Sequence, residues 1–457
     1  MLTRFFRNPN GYYLYDAVIN RLTPVSEELF DLLNDGSDDT KHNQNQEYAK
    51  LKAQGFFADA DHVLKNPYDE NYETLLDRGL SQLILQASQG CNMRCGYCPY
   101  TNNDGGGRVH RDLHMSYDTA KKAIDFFAIH SADIPELTIG FYGGEPLLNQ
   151  DMIFRVIRYA KKKFLGKRLT FHMTTNATLL TDAVLQRFEQ CEMNLTVSYD
   201  GPKEVHDRNR RFAATNKSTH DAVLRAIHKI CKHYPNLKKN LILNMVIDPR
   251  KDFLSYQQCV SELPKDFPQN ALQSNLVNSQ GLVTAYDESE EFVAEYQHAL
   301  FKRILINRGK RKETEKPDIT HNKGAFDDMY ASQALRQGAS GETFYPSGLC
   351  IPGQRKLFVN IHGKFFPCEK VSETHDVLCM GDLENGFAYE RCRQLLNIAS
   401  LTEQECADCW CYRFCMSCLM YVSTTDGFSR EERLRECRSC RAQATDMIYR
   451  YLALGNI

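Results

Sequence analysis

Little in this chain's overall charge points to a charged partner. Lys and Arg number 56 against 58 Asp and Glu, a net charge of −2 over 457 residues. That balance argues against a protein built around nucleic acid or an anionic membrane. Apolar runs of about 18 residues are also missing, which argues against a spanning helix. The opening MLTRFFRNPNGYYLYD lacks the apolar stretch of a secretory signal. No internal repeat or low-complexity tract is evident. The expected compartment is therefore cytoplasmic, with no nucleic acid and no membrane as partners. What remains, 42% hydrophobic and 25% charged residues, is the composition of a soluble chain with a large core. Its length predicts two or three domains.

Cysteine, by contrast, is abundant: 17 residues. A reducing compartment keeps thiols from pairing as disulfides, so their clustering needs another cause. Cys191, Cys231 and Cys259 stand alone in amphipathic stretches and read as buried free thiols. The others crowd between Cys91 and Cys98 and again beyond Cys350. Clustered soft thiolates point to metal.

Along the chain, residues 1–75 form a candidate module. GYYLYDAVINRLTPVS alternates as a hairpin would, Ser26 caps the amphipathic SEELFDLLND, and EYAKLKAQGFF predicts a second helix before a strand-like ADHVL. The pattern is winged-helix-like. From residue 81 the texture becomes strand then helix, repeatedly. LILQAS, LTIGFYGG, RLTFHMTTNAT, MNLTVSYDG and NLILNMVID are separated by helical stretches, which predicts βα units and a parallel α/β sheet over 81–265. Each strand ends in small or polar residues, among them Gly143, Gly144, Thr175, Asn176, Ser198, Asp200 and Asn244. In a parallel barrel such ends line the active face. Residues 266–345, with the helix DESEEFVAEYQHALFKRIL and the charged NRGKRKETEKPDITHNK, read as a bridging region. The turn-rich, cysteine-dense 346–457 needs metal to hold a fold.

QGCNMRCGYCPY sets Cys91, Cys95 and Cys98 at C-x3-C-x2-C, with Tyr97 before the last thiol. A closed zinc site wants four ligands. Three thiolates instead suit an iron–sulfur cubane with one open iron. This triplet resembles the signature of the radical SAM superfamily. The resemblance implies a partial (β/α)6 barrel and a 4Fe–4S cluster on the three cysteines. It also implies S-adenosylmethionine (SAM) at the open iron and reductive formation of a 5′-deoxyadenosyl radical. YGGEPLL matches the family's GGEP segment, so Gly143, Gly144, Glu145 and Pro146 are expected around the amino group of SAM. TTNAT places Thr175 and Asn176, and SYDGPKEVHDRNR places Ser198, near the ribose; Arg210 is the candidate for the carboxylate, with Arg208 and Arg211 as equally basic neighbours.

CIPGQRKLFVNIHGKFFPC gives C-x12-G-x4-C from Cys350 to Cys368, and CADCWCYRFCMSC and ECRSC supply more thiols. This arrangement resembles the SPASM extension, which implies two auxiliary 4Fe–4S clusters, three clusters in all. Cys350, Cys368 and Cys418 would hold the first, with Cys379, Cys392 or Cys411 open as a fourth ligand. Cys406, Cys409, Cys415 and Cys437 would hold the second, with Cys440 in place of Cys437 as an alternative and Cys411 as an added neighbour. A zinc ribbon on the C-x2-C pairs is the plainer reading. Glu369, directly after Cys368, is a candidate base or else a surface glutamate.

These features point to a maturase of a ribosomally made precursor peptide that forms an intramolecular crosslink, a thioether first. The leader of the peptide would sit on residues 1–75, and a flavodoxin or ferredoxin would supply electrons. A sulfatase-maturase-like formylglycine enzyme and a non-catalytic iron–sulfur scaffold are the alternatives.

Overall fold

In the computed structural model of the chain, the predicted strands run parallel and side by side in chain order. Described are all residues except 1, 35–38, 59–62, 99, 101–108, 251–252, 269–270, 277–288, 308, 313–331, 336–342, 347–349 and 454–457. The N-terminal residues form an antiparallel sheet of β1 (Thr3–Asn8), β2 (Gly11–Asp16) and β3 (Arg21–Val25), in that order. The alternation in GYYLYDAVINRLTPVS predicts the β2–β3 hairpin; β1, which precedes it, is an addition to that expectation. Helices Glu27–Asn34 and Gln46–Ala53 follow. Ser26 caps the first, its hydroxyl accepting from Leu29 N at 3.2 Å, and Asn45 caps the second. Of ADHVL, residues 60–62 lie outside the described residues. Its end forms β4 (Val63–Leu64), which pairs in parallel with β11 (Thr343–Phe344).

The two faces of this small sheet do different work. Leu14 and Val25 pack on Leu29, Leu51 and Phe56. Residues of opposite pleat, Phe6 and Tyr15, pack instead on Trp410, Tyr412, Phe414, Met447 and Ile448 far along the chain. The module thus shares its second core with the cysteine-rich C-terminal region.

The main sheet contains β5 (Gln82–Ser88), β6 (Glu136–Gly143), β7 (Arg168–Thr175), β8 (Asn194–Ser198), β9 (Leu241–Ile247) and β10 (Leu272–Leu276), all parallel. Helices Tyr117–His130, Gln150–Lys163, Asp182–Gln190 and His220–His233 connect them where the 3.6-residue periodicity predicted helix. The sixth strand lies past the boundary at 265 that the sequence suggested. LQSNL is short and mostly polar, so it carries no apolar run to announce a strand.

Along β7, β8 and β9 the residues alternate between buried and half-buried. The buried set meets the helices; the half-buried set, including Thr170, His172, Thr174, Thr196, Ser198 and Asn244, faces the sheet's inner side. That inner side is mostly polar, with Ile242 and Val246 apolar on β9.

Beyond β5 the sheet continues into the C-terminal region. β12 (Leu357–Val359) pairs in parallel with Leu83–Leu85, and β13 (Lys364–Phe366), β14 (Gly381–Asp382) and β15 (Gly386–Phe387) follow antiparallel. Gly363 of the G-x4-C element makes the β12–β13 turn, at φ 79° with its N–H on Asn360 O at 2.9 Å. The long helix Arg430–Ala453 closes the chain. Among the described residues, no helix is long and apolar enough to cross a membrane.

Candidate functional site at the strand ends

Past Ser88, the end of β5, the chain turns into the cysteine loop. Gly144 N donates to Ser88 O and Glu145 N to Gly90 O, each at 2.8 Å. A Cβ on Gly143 would stand 2.0 Å from Ser88 O, and one on Gly144 2.2 Å from Gly90 O. The two glycines are therefore required by the loop's own backbone, before any ligand is considered. The loop's other side is laced to residues 209–213. Arg94 N donates to Arg211 O and Gly96 N to Asn209 O, each at 3.1 Å, and Ala213 N to Asn92 O at 2.8 Å.

Cys91, Cys95 and Cys98 are all half-buried on this loop. Burial pushes the thiols of Cys91 and Cys95 up, to about 12 and about 11. Two side-chain donors face the sulfurs, Asn176 Nδ2 at 3.8 Å from Cys91 Sγ and Arg210 Nη1 at 4.0 Å from Cys95 Sγ, and Met93 N donates to Cys91 Sγ at 3.4 Å. Three thiols on one loop with charge-compensating donors fit a [4Fe–4S] cluster held through three of its irons, since ligation replaces the thiol protons.

Glu145 does not point outward. Its carboxylate is fully buried and accepts from Leu147 N (3.1 Å), Thr175 Oγ1 (2.7 Å) and Asn176 N (2.8 Å). Burial raises its pKa despite these donors. Glu145 and Thr175 thus staple the end of β6 to the end of β7, where the resemblance expected ligand contacts. Buried strand ends leave N–H groups unpaired, and a carboxylate satisfies them. Asn176 also orders the loop: Nδ2 donates to Asn92 Oδ1 at 2.8 Å, and Oδ1 accepts from Thr178 Oγ1 at 2.7 Å. Ala177, where the segment turns, sits at φ 63°, a costly conformation for a residue with a Cβ. Pro146 begins a short 3₁₀ turn, buried. Ser198 ends β8 on the polar inner side, half-buried.

Arg210 is buried, and its Nε donates to Asp200 Oδ2 at 2.8 Å. The guanidinium also lies 5.4 Å from the centre of the Tyr97 ring, and the Tyr97 hydroxyl donates to the same Asp200 oxygen. Asp200 Oδ1 accepts from Val246 N at 3.0 Å. Tyr97 and Arg210 therefore meet beside the cysteine loop, joined through Asp200. A second chain of bonds backs them. Asp200 N donates to His206 Nδ1 (3.3 Å), His206 Nε2 meets Thr219 Oγ1 (3.1 Å), and that hydroxyl donates to Arg210 O (2.7 Å). Burial lowers His206 to about 4. Asn92, Thr178, Asp200 and His206 were not singled out as site residues from sequence. Asp200, a polar strand end, and His206 both lie within SYDGPKEVHDRNR, where no role was assigned to them.

Glu369 is not a surface glutamate. Its side chain is 13% exposed and pairs with Lys356 at 3.0 Å. Its other oxygen, Oε2, is buried without a hydrogen-bond partner among the described residues. His172, on β7, lies within electrostatic reach of both: burial lowers its pKa most, with Glu369 raising it and Lys356 lowering it.

The C-terminal thiols fall into separate groups. Burial raises Cys368, to about 11, and Cys418; the neighbouring Cys418 adds to the first shift and Cys350 to the second. Cys418 is thus within electrostatic reach of both Cys368 and Cys350. Cys379 and Cys392 are tied to backbone carbonyls, Gly381 O and Met380 O, around β14. Cys406, Cys409, Cys411, Cys415, Cys437 and Cys440 line one pocket, together with Arg433 and Arg441. Among the described residues, no His, Cys, Asp or Glu group closes on a single metal-ion position. Of the solitary cysteines, Cys231 is buried and Cys191 half-buried; the side chain of Cys259 lies outside the described residues.

Residues 85–255 match the family described as the Radical SAM superfamily. A serine-type anaerobic sulfatase-maturating enzyme of Bacteroides thetaiotaomicron is 30% identical over 31% of this chain and 34% of its own length. The radical SAM cyclopropyl synthase TigE of Paramaledivibacter caminithermalis is 24% identical over 44% of this chain and 48% of its own. The chain thus spans less than half the length of these curated relatives. Among solved structures, native anSMEcpe with bound AdoMet shares the fold at TM-score 0.60 and 20% identity, covering 83% of this chain and 100% of that one.

Proposed function

A radical SAM domain spans residues 85–255 of this chain, and on that premise we propose that the protein is a maturase of a ribosomally synthesised precursor peptide. Cys91, Cys95 and Cys98 would hold a [4Fe–4S] cluster with SAM at its open iron. When bound, that pair supplies one-electron cleavage of SAM to a 5′-deoxyadenosyl radical. Asn176 and Arg210 keep donors at the sulfurs of Cys91 and Cys95. The polar inner side, with Ser198 at its rim, receives SAM and the peptide. Cys350, Cys368 and Cys418 would hold one auxiliary cluster, and Cys406, Cys409, Cys415 and Cys437 the other. A flavodoxin or ferredoxin supplies electrons. Glu369, once released from Lys356, would take the proton of the substrate thiol, the 5′-deoxyadenosyl radical would take a hydrogen atom from the acceptor carbon, and with the surplus electron passing to an auxiliary cluster the C–S bond of an intramolecular thioether would close.

One observation carries the choice of peptide maturase. In the N-terminal sheet, among the described residues, β3 pairs with β2 alone and leaves its outer edge unpaired, while β1, the other edge strand, packs its Phe6 face on the helix Arg430–Ala453 at Tyr449, ring centroids 5.5 Å apart. An open strand edge accepts an extended leader as an added strand. A second reading, oxidation of a protein cysteine or serine to formylglycine, is supported by the sulfatase-maturing relative and by the shared anSMEcpe fold. Co-expression with the peptide encoded beside the gene, followed by tandem mass spectrometry, tests both. Loss of two hydrogens with a crosslink that survives reduction and alkylation is expected. An aldehyde that reacts with hydrazide would favour the second reading, and an unmodified peptide would count against the first.

A further inference from the structure

We propose that His172 is the second wall of the substrate subsite, holding the peptide's reacting thiol or hydroxyl against Glu369. This rests on the reading of the protein as a peptide-modifying radical SAM enzyme and deepens it. Glu369 is anchored through one oxygen: Lys356 donates to Oε1 at 3.0 Å, while Oε2 is buried with no hydrogen-bond partner among the described residues. A buried acceptor left open is costly, and a ligand that donates to it removes the cost. His172 stands half-buried on β7, on the inner side of the sheet. Its Nε2 meets Thr196 Oγ1 at 3.3 Å, and Nδ1 has no partner among the described residues. The register sets His172 beside Gly140, and Gly140 beside Ile84. Gly140 brings no side chain to that row, and the three atoms nearest to a Cβ built there all belong to Ile84. The row is therefore open next to the imidazole. Lys356 leads into β12 on the far side of β5, and both Lys356 and Glu369 act electrostatically on the ring.

A carboxylate paired with a lysine only accepts, and that fixes the direction of the bonds. The peptide's thiol or hydroxyl donates to Glu369 Oε2. Its sulfur or oxygen then accepts from Nδ1–H of His172, whose Nε2 accepts from the Thr196 hydroxyl. Burial lowers the pKa of His172, which leaves the ring neutral with one N–H and one bare nitrogen for these two bonds. When Glu369 takes the substrate proton, Nδ1–H still faces the atom that has become negative, and a charge-assisted bond is stronger than a neutral one. An alanine at the same place in the peptide would satisfy neither group. The subsite therefore selects cysteine or serine over an apolar side chain.

The test uses the full chain, reconstituted anaerobically with iron, sulfide and SAM, and the peptide encoded beside the gene. The natural peptide is compared with a form whose core cysteines and serines are alanine. Affinity is read by fluorescence anisotropy, and 5′-deoxyadenosine formed per modified peptide by mass spectrometry. His172→Ala should weaken binding of the natural peptide roughly two- to tenfold, the worth of one hydrogen bond, and raise the 5′-deoxyadenosine formed per product. The alanine peptide should bind His172→Ala and wild type equally. His172→Asn keeps an N–H near the place of Nδ1 and should recover part of both losses, with iron content as in wild type. Unchanged affinity and ratio in His172→Ala would overturn the proposal. An equal loss with the alanine peptide, or no recovery in His172→Asn, would make the ring merely structural and overturn it too. A natural peptide left unmodified by wild type would instead overturn the underlying reading, before any variant is compared.

Discussion

Replacing Arg210 with Met isolates what holds the cysteine loop in place. The wild-type guanidinium pairs with Asp200 at 2.8 Å, and both side chains are less than a tenth exposed. Methionine fills much of the volume but leaves the buried Asp200 carboxylate, among the described residues, with only Tyr97 and Val246 N as donors. Breaking a buried pair by removing one partner costs about 3–5 kcal/mol. At 1.4 kcal/mol per decade, that is roughly a hundredfold to a few thousandfold rise in local opening. The rise should appear where residues 209–213 lace the loop, at the amides of Arg94, Gly96 and Ala213. Hydrogen-exchange mass spectrometry on peptides covering 91–98 and 209–213 reads it locally, which suits a multi-domain chain where one unfolding free energy is ill-defined. Adding Asp200→Asn removes the orphaned charge and should bring exchange back to within about tenfold of wild type, because a neutral pair lacks that penalty. Wild-type exchange in Arg210→Met, or a double variant as fast as the single, would refute the reasoning.

Gly144→Ala should abolish iron binding by the triplet, because its Cβ would stand 2.2 Å from Gly90 O, on backbone that cannot yield without displacing the loop; iron analysis checks this. Ala177→Gly, at φ 63°, should leave stability within about 1 kcal/mol of wild type, since relief of left-handed strain offsets the added unfolded-state freedom; a Gly144→Ala-like loss would contradict it. His206, lowered by burial from 6.5 to about 4, is neutral in the folded chain, so the unfolded chain takes up a proton first as pH falls. Its contribution is therefore whole above about pH 7 and declines by about 3 kcal/mol between pH 6.5 and 4. Local exchange around Asp200 and Arg210 should rise across that window, and less steeply in His206→Gln; equal slopes would contradict the assignment.

The parallel sheet was legible because its strands are apolar runs alternating with periodic helices, and the cysteine loop because thiol spacing is itself a chemical pattern. β1 and β10 were not: TRFFRN pairs with β2 but buries Phe6 on Trp410 far along the chain, and LQSNL, mostly polar, pairs with β9 without an apolar run. The site residues divide in the same way. Cys91, Cys95, Cys98, Tyr97 and Arg210 could be named from local motifs, and the structure gathers them. That Glu145 turns inward to Thr175 and Asn176, or that Asp200 joins Tyr97 to Arg210, depends on which strand ends lie adjacent. The sharing of a core between the N-terminal sheet and Trp410 was equally hidden. It also changes a test the sequence invites: deleting residues 1–75 would strip Phe6 and Tyr15 from Trp410 and Phe414, so substitutions on the outer edge of β3 probe leader binding more cleanly.

The central claim is that Cys91, Cys95 and Cys98 alone support SAM cleavage. It is tested most directly by measuring 5′-deoxyadenosine and iron together in reconstituted wild type and in Cys91→Ala, Cys95→Ala and Cys98→Ala. The account predicts 5′-deoxyadenosine from wild type only, with iron falling from about twelve to about eight per chain as one four-iron cluster is lost. Wild-type levels of 5′-deoxyadenosine in any of the three variants would contradict it.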